Sequence, residues 1–103
     1  MKFETSSKIP ANEITEIEKK LRQAAVEAKS DKFFGPNEKI EVVNNPSSPS
    51  VDELAKKASG EQHPMGDPTF CLIAYTAAIA LCDGDATCKA IAGAAYQICL
   101  HSK

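Results

Sequence analysis

Four cysteines lie in the last third of the chain, and their spacing is its most chemically informative feature. Ten residues separate Cys71 from Cys82, five separate Cys82 from Cys88, and ten separate Cys88 from Cys99. An α-helix turns about 100° per residue, so eleven positions carry it about 20° past three full turns. Each long gap therefore places two cysteines on one face of a helix. Two such helices folded antiparallel would bring Cys82 to Cys88 beside the turn and Cys71 to Cys99 at the open end.

The chemistry that this arrangement favours is the formation of two nested disulfides that join the helices. Four cysteines allow three pairings, and the sequence leaves the true pairing open. A Cys71–Cys82 bridge is excluded if the helix forms, because three turns span about 16 Å and bridged Cα atoms lie about 4.4–6.8 Å apart. Disulfides are typical of oxidising compartments.

Other chemistries fit these residues less well. Zinc sites typically use cysteines only two to four residues apart. The segment Asp83-Gly84-Asp85 is similar to the start of a calcium loop, but the rest of that motif is absent. This favours a turn followed by a helix capped by Asp85, or by Asp83 if the helix begins early. A thiol nucleophile paired with His63 or His101 would need a proximity that nothing in the sequence indicates. We therefore expect a protein that is not an enzyme and binds no metal or cofactor.

The segments that carry the cysteines are predicted to be helices over residues 68–81 and 87–100. Both are rich in alanine, and small side chains allow two helices to approach closely. The arms are apolar on nearly every side. The contact between the two arms cannot bury all of this apolar surface. The free hairpin would expose an apolar surface of the kind that contacts membranes, receptors or partner proteins. The alternative is that the helix predicted over residues 12–29 covers this surface.

The N-terminal region, residues 1–60, is polar and is predicted to hold less regular structure. Ser50 and Glu53 form the pattern of a capping box, which indicates a helix start. The predicted segments are a loose tail 1–11, an amphipathic helix 12–29 with apolar residues every three or four positions, a strand 39–43, a linker 44–50 and a short helix 51–58. The predicted fold class is all-α: a disulfide-stapled antiparallel hairpin at the C-terminus, and an N-terminal region with one amphipathic helix that is otherwise largely flexible.

Charge and hydropathy narrow the functional classes. The chain holds 12 basic and 14 acidic side chains, a net charge of −2, so it lacks the basic footprint expected of a nucleic-acid-binding protein. Residues 1–30 contain no apolar core of a secretory signal peptide, and no segment reaches the roughly 20 apolar residues of a membrane span. A stapled hairpin that favours an oxidising compartment thus lacks the usual export signal.

The nested pattern resembles several families. Glycocin bacteriocins carry paired cysteines on two short helices, and twin CX9C mitochondrial proteins and plant α-hairpinins share the nesting. The segment that ends at Gly60 also resembles the end of a double-glycine leader. In such leaders an acidic residue and a leucine lie eight and seven positions before the cut, where this chain has Glu53 and Leu54. A cut after Gly66 is an alternative.

The resemblance implies a bacteriocin-like precursor with a leader over 1–60 and a mature peptide over 61–103. A peptidase-transporter or maturation enzyme would bind the leader, with 39–43 as the captured strand and 12–29 as a recognition helix. The precursor would be cytoplasmic, and the product would be secreted and would act on a target-cell membrane or receptor. Candidate modification sites are Thr87, beside the turn, and Thr76 and Thr69. The alternative function is a non-enzymatic interaction or assembly protein of the twin CX9C kind.

Overall fold

The computed structural model describes residues 1–60 and 69–101, except the side chains of Ser59, Gly60 and Thr69. The elements of this part, in chain order, are β1 (Lys2–Thr5), α1 (Ala11–Glu27), β2 (Glu41–Asn44), α2 (Val51–Gly60), α3 (Thr69–Cys82) and α4 (Ala86–His101). The helices predicted over 68–81 and 87–100 are confirmed to within about a residue at each end, although Pro68 lies outside the described residues.

The two apolar helices form the centre of the molecule. α3 packs against α4, α1 packs against α3, and α2 packs against α4. The hairpin is therefore covered by both helices of the N-terminal region. This is the alternative in which the helix predicted over 12–29 covers the apolar hairpin.

Helix α1 forms as its periodicity predicts. Its buried residues recur every three or four positions and lie on one face: Ile17, Leu21, Ala24 and Ala25. Pro10 precedes the first turn, where a missing N–H costs nothing. Past the other end, Lys29 has a φ of 53°, and the Ser30 amide donates to the Ala25 carbonyl at 2.9 Å. These features close the last turn in the manner of a Schellman motif.

Helix α1 also connects two parallel strands, β1 and β2. Lys2 pairs with Glu41 and Thr5 with Asn44. A parallel pair needs a crossover of a dozen or more residues, and α1 supplies it. The pair means that the all-α expectation is not confirmed, although the described fold is mostly helical. The loose tail predicted over 1–11 is wrong for β1, because Phe3 and Thr5 are buried there.

The strand predicted over 39–43 forms slightly later, at Glu41–Asn44. The reason is that the Ile40 amide donates to the carboxylate of Glu18 on α1, at 2.8 Å, and is thereby diverted from a strand partner. The Glu41 amide donates to the Met1 carbonyl at 2.8 Å, which begins the ladder.

The remainder of the N-terminal region is more regular than the expectation of a largely flexible segment. Phe33, Phe34 and Ile40, which lie between α1 and β2 in the sequence, are buried. The predicted linker over 44–50 is held by β1, because the Thr5 hydroxyl donates to the Pro49 carbonyl at 2.8 Å. The sequence did not indicate these contacts because each joins segments that are distant along the chain.

The predicted cap of the short helix is present. The Glu53 amide donates to the Ser50 hydroxyl at 3.3 Å, at the start of α2. This bond satisfies one of the amides that have no partner in the first turn of a helix. The helix continues to Gly60.

Candidate functional site

The hairpin of α3 and α4 contains every cysteine of the chain, and all four form disulfides. Cys71 is bonded to Cys99 with a Cα–Cα distance of 5.9 Å. Cys82 is bonded to Cys88 with a Cα–Cα distance of 5.4 Å. Both distances lie in the ordinary range for disulfides, and the nesting is the one that the spacing predicts. The outer bridge fixes the open end of the hairpin, and the inner bridge fixes the turn.

The turn between the arms uses two consecutive residues in the left-handed region. Asp83 has a φ of 49° and Gly84 a φ of 84°, a conformation that glycine and aspartate tolerate better than most residues. The Thr87 amide then donates a hydrogen bond to the Asp85 carboxylate at 3.0 Å, so Asp85 caps α4 as predicted. Asp83 thus forms part of the turn, and Asp85 stabilises the N-terminus of α4.

Small side chains bring the two arms together. The fully buried residues of the hairpin include Ala74, Ala78, Ala92 and Ala95. Beside them, the rings of Tyr75 and Tyr96 stack with centroids 4.6 Å apart and planes 8° from parallel. Each alanine buries little apolar area, so the arms need the covalent bridges to supplement their contact.

Helix α2 approaches α4 closely at one glycine. A Cβ added to Gly93 would lie 2.8 Å from the Cβ of Ala58, a distance that real side chains do not adopt. The Tyr75 hydroxyl donates to the Ala58 carbonyl at 3.2 Å, which ties the same turn of α2 to α3. Gly93 is therefore a contact residue between the N-terminal region and the hairpin, which the sequence signalled only as a glycine inside a helical pattern.

A cavity of about 230 Å³ lies beside this contact. Its lining is mainly small or apolar: Phe3, Leu54, Lys57, Ala58, Ala90, Gly93, Ala94 and Gln97. Among the described residues, neither a carboxylate nor an imidazole lines it. The cavity therefore provides apolar space between α2 and α4, with one cation, rather than an acid–base pair.

The residues that resemble the end of a leader all lie on α2. Glu53 is exposed and Leu54 is half-buried in α2, and Gly60 is its last residue. The alternative cut residue, Gly66, lies outside the described residues, as does His63. The structure thus places the motif that resembles a leader end on the helix that packs against α4.

The threonines named as modification candidates differ in environment. Thr87 is half-buried in the first turn of α4. Thr76 is exposed on α3, and its hydroxyl donates to the Leu72 carbonyl at 2.9 Å. The side chain of Thr69 is outside the described residues.

The alternative cysteine chemistries require a free sulfur, and all four sulfurs are in disulfides. Cysteines bonded in this way offer no thiolate to a zinc ion or to a substrate. Among residues 1–60 and 69–101, no group of three or more His, Cys, Asp or Glu side chains could hold a metal ion. His101 is exposed at the end of α4. No helix in the described part of the chain has the length and apolar character to cross a membrane.

Sequence reasoning missed β1 and the role of Gly93. The sequence signal for β1 is weak, because Lys2–Thr5 contains a single apolar residue, Phe3, and four residues are too few to distinguish a strand from a tail. Its partner, β2, lies across a whole helix.

Comparison with known proteins gives no relative: no family model, curated protein or solved structure matches the chain. Its functional interpretation therefore depends on the geometry of the hairpin and of the helices α1 and α2 that pack on it.

Proposed function

We propose that this chain is the precursor of a secreted, bacteriocin-like antimicrobial peptide, in which residues 61–103 are the active part. The observation that supports this proposal best is the position in the sequence of the helices that cover the hairpin. Both helices that pack on the apolar hairpin, α1 and α2, belong to the N-terminal region. A cut after Gly60 would separate the cover from the hairpin in sequence.

The proposed mechanism is exposure of apolar surface. Before cleavage, α1 lies on α3 and α2 lies on α4. After release of residues 1–60, the same faces of the hairpin would be free to bind a membrane protein or enter a membrane. The disulfides are what would keep so short a product folded, because they join its two arms at both ends.

The charge of the product favours a receptor over direct attraction to lipid. Residues 61–103 hold two basic and four acidic side chains. Anionic membranes attract basic segments, so this electrostatic contribution is absent. We therefore propose a membrane receptor on the target cell as the first contact of the hairpin.

The leader would be recognised through its own elements. In a parallel pair the backbone groups of alternate residues face the partner strand. The amides of Glu41 and Asn45 donate to β1, so those of Val42 and Asn44 face the outer edge of β2. A maturation enzyme or peptidase-transporter could add a strand there.

A second candidate is a non-enzymatic interaction or assembly protein of the twin CX9C kind that acts as the full chain. One observation favours it. The N-terminal region shares a core with the hairpin, since Leu21 and Phe33 belong to the same buried cluster as Ile91 and Tyr96. A leader that serves only to be removed would not need such extensive burial.

The intact mass of the product in producing cells and in their medium distinguishes the two candidates. A precursor gives residues 61–103 in the medium, lighter than the reduced peptide by four hydrogens because of the two disulfides. Gly60→Val should block this product and growth inhibition by the medium. Gly66→Val is the matched control, which should leave both unchanged.

Full-length protein retained in the cells, with no shorter species in the medium, would overturn the precursor proposal and favour the interaction protein. A product that begins after residue 66 and disappears in Gly66→Val would keep the precursor proposal but move the cut.

A further inference from the structure

An uncharged stripe remains exposed on α3 after α1 and α4 have packed against it. Ile73 is 50% exposed and Phe70 is 37% exposed. Thr76 and Ala80 are exposed and Ala77 is half-buried. The spacing from residue 73 to residue 80 is i, i+3, i+4, i+7, so these side chains form one face. We call residues 70, 73, 76, 77 and 80 the α3 stripe.

Charges lie at both ends of the α3 stripe, each at the unfavourable end of the helix. Lys32 lies over the ring of Phe70, with its Nζ 5.9 Å from the ring centroid, beside the first turn of α3. Asp83 directly follows the last turn and is exposed. The dipole of a helix favours anions at its N-terminus and cations at its C-terminus. Lys32, from the turn after α1, and Asp83 are therefore both placed against the dipole of α3.

A second copy of the chain reverses this mismatch. If two α3 stripes pack antiparallel about a two-fold axis, Lys32 of one copy lies near the C-terminal end of the other α3, beside Asp83. Symmetry repeats the contact at the opposite end. The uncharged middle of the stripe meets itself without like-charge repulsion, and its small residues, Ala77 and Ala80, permit close approach of the helices.

We propose that the α3 stripe is a self-association surface through which two copies of this chain form an antiparallel, two-fold symmetric dimer. This inference concerns the intact chain and is independent of the proposed cleavage. A single helix face buries less than the roughly 800 Å² per partner of stable complexes, so the dimer is weak, with a Kd in about the micromolar range or above.

Sedimentation equilibrium of the oxidised full chain at low salt, from about 5 to about 500 μM so as to bracket such a Kd, tests the proposal. We expect a reversible monomer–dimer equilibrium that weakens as salt is added, because the contacts between Lys32 and Asp83 are exposed to solvent. Ile73→Glu should raise the Kd at least tenfold, about the effect of burying an unpaired charge. Val26→Glu on α1, where the side chain is 76% exposed, is the matched control and should leave the Kd unchanged.

Charge reversal tests the antiparallel geometry directly. Lys32→Glu and Asp83→Lys should each raise the Kd by about tenfold, since symmetry counts each repulsive contact twice. The double variant should return to within about threefold of the natural chain, because the pair is restored with opposite polarity. Asp83→Asn removes the charge but keeps a residue that tolerates a left-handed φ, and it guards against a folding defect in Asp83→Lys.

Three results would overturn the proposal. One is a monomer at every concentration. Another is a double variant whose Kd stays as high as that of the single variants, although near-ultraviolet circular dichroism shows that it has the native fold. The third is a monomer that co-sediments with vesicles of phosphatidylcholine and phosphatidylglycerol through the same stripe, which would make α3 a membrane-binding helix instead.

Discussion

The hairpin and the N-terminal region are held together by different means. The hairpin buries mostly alanines and cysteines, with Tyr75, Ile91 and Tyr96 as its large buried side chains, and is closed by two disulfides. The N-terminal region contains no cysteine and buries large side chains, among them Phe3, Leu21, Phe33 and Phe34. Hydrophobic stabilisation scales with buried area. Helices that approach through small residues gain less from it per residue, so the chain compensates with covalent bonds in the hairpin alone.

The first prediction breaks the covalent side of the comparison and has the largest expected effect. Replacing Cys71 and Cys99 by alanine should lower the free energy of unfolding by about 3–4 kcal/mol, because the outer bridge closes a long loop in the unfolded chain. Replacing Cys82 and Cys88 by alanine should cost less, about 2 kcal/mol, since that loop is short. Urea unfolding followed by far-ultraviolet circular dichroism measures both. Equal losses would argue against an unfolded-state origin of the effect.

The second prediction breaks the apolar side. Leu21 is fully buried on α1, and Leu21→Ala should lower the free energy of unfolding by about 3 kcal/mol through lost burial and a cavity. Val26→Ala on the same helix is the control and should change it by less than about 0.5 kcal/mol, because Val26 is mostly exposed.

Hydrogen exchange refines the second prediction. In Leu21→Ala, amides of α1 should exchange faster than in the natural chain, whereas amides of α4 beside the bridges should keep more of their protection. Uniform loss of protection in both regions would show that the N-terminal region and the hairpin unfold as one unit.

The third prediction targets the contact between the two regions and has the smallest effect. Gly93→Ala places a Cβ 2.8 Å from that of Ala58, so α2 must move away from α4. Alanine is a better helix former than glycine by about 1 kcal/mol, and overpacking typically costs about 1–3 kcal/mol. The balance of these two effects is an expected net loss of about 1 kcal/mol in thermal or urea unfolding.

A double-variant cycle isolates this contact. Ala58→Gly in the background of Gly93→Ala should recover stability, whereas Ala58→Gly alone should lose it. Additive effects of the two substitutions would mean that α2 and α4 do not meet at these residues.

Much of the hairpin could be predicted from the sequence because its signals are local. The ten-residue gaps give the helical register of the cysteines, and the residues between Cys82 and Cys88 give a turn with a cap at Asp85. Periodicity likewise predicted α1, and the pattern of Ser50 and Glu53 predicted the start of α2. Each of these signals lies within one helix or one turn.

The candidate site was harder to anticipate wherever two distant segments meet. The contact of Gly93 with Ala58 joins α4 to α2, and the bond from the Thr5 hydroxyl to the Pro49 carbonyl joins residues 44 positions apart. A four-residue strand such as β1 has too few residues for a clear period, and only its partner, β2, makes it a strand. Nothing in a single local pattern specifies such a partner.

The sequence by itself determined the arms of the hairpin, the nested arrangement that its cysteines favour and the amphipathic face of α1, because helical period and side-chain polarity act over a few residues. Only the tertiary structure decided that the N-terminal region covers the hairpin, that β1 and β2 pair across α1, and that one face of α3 stays exposed. Those outcomes depend on which apolar surfaces are complementary in shape. Complementarity is a property of pairs of elements and is not encoded in either one alone.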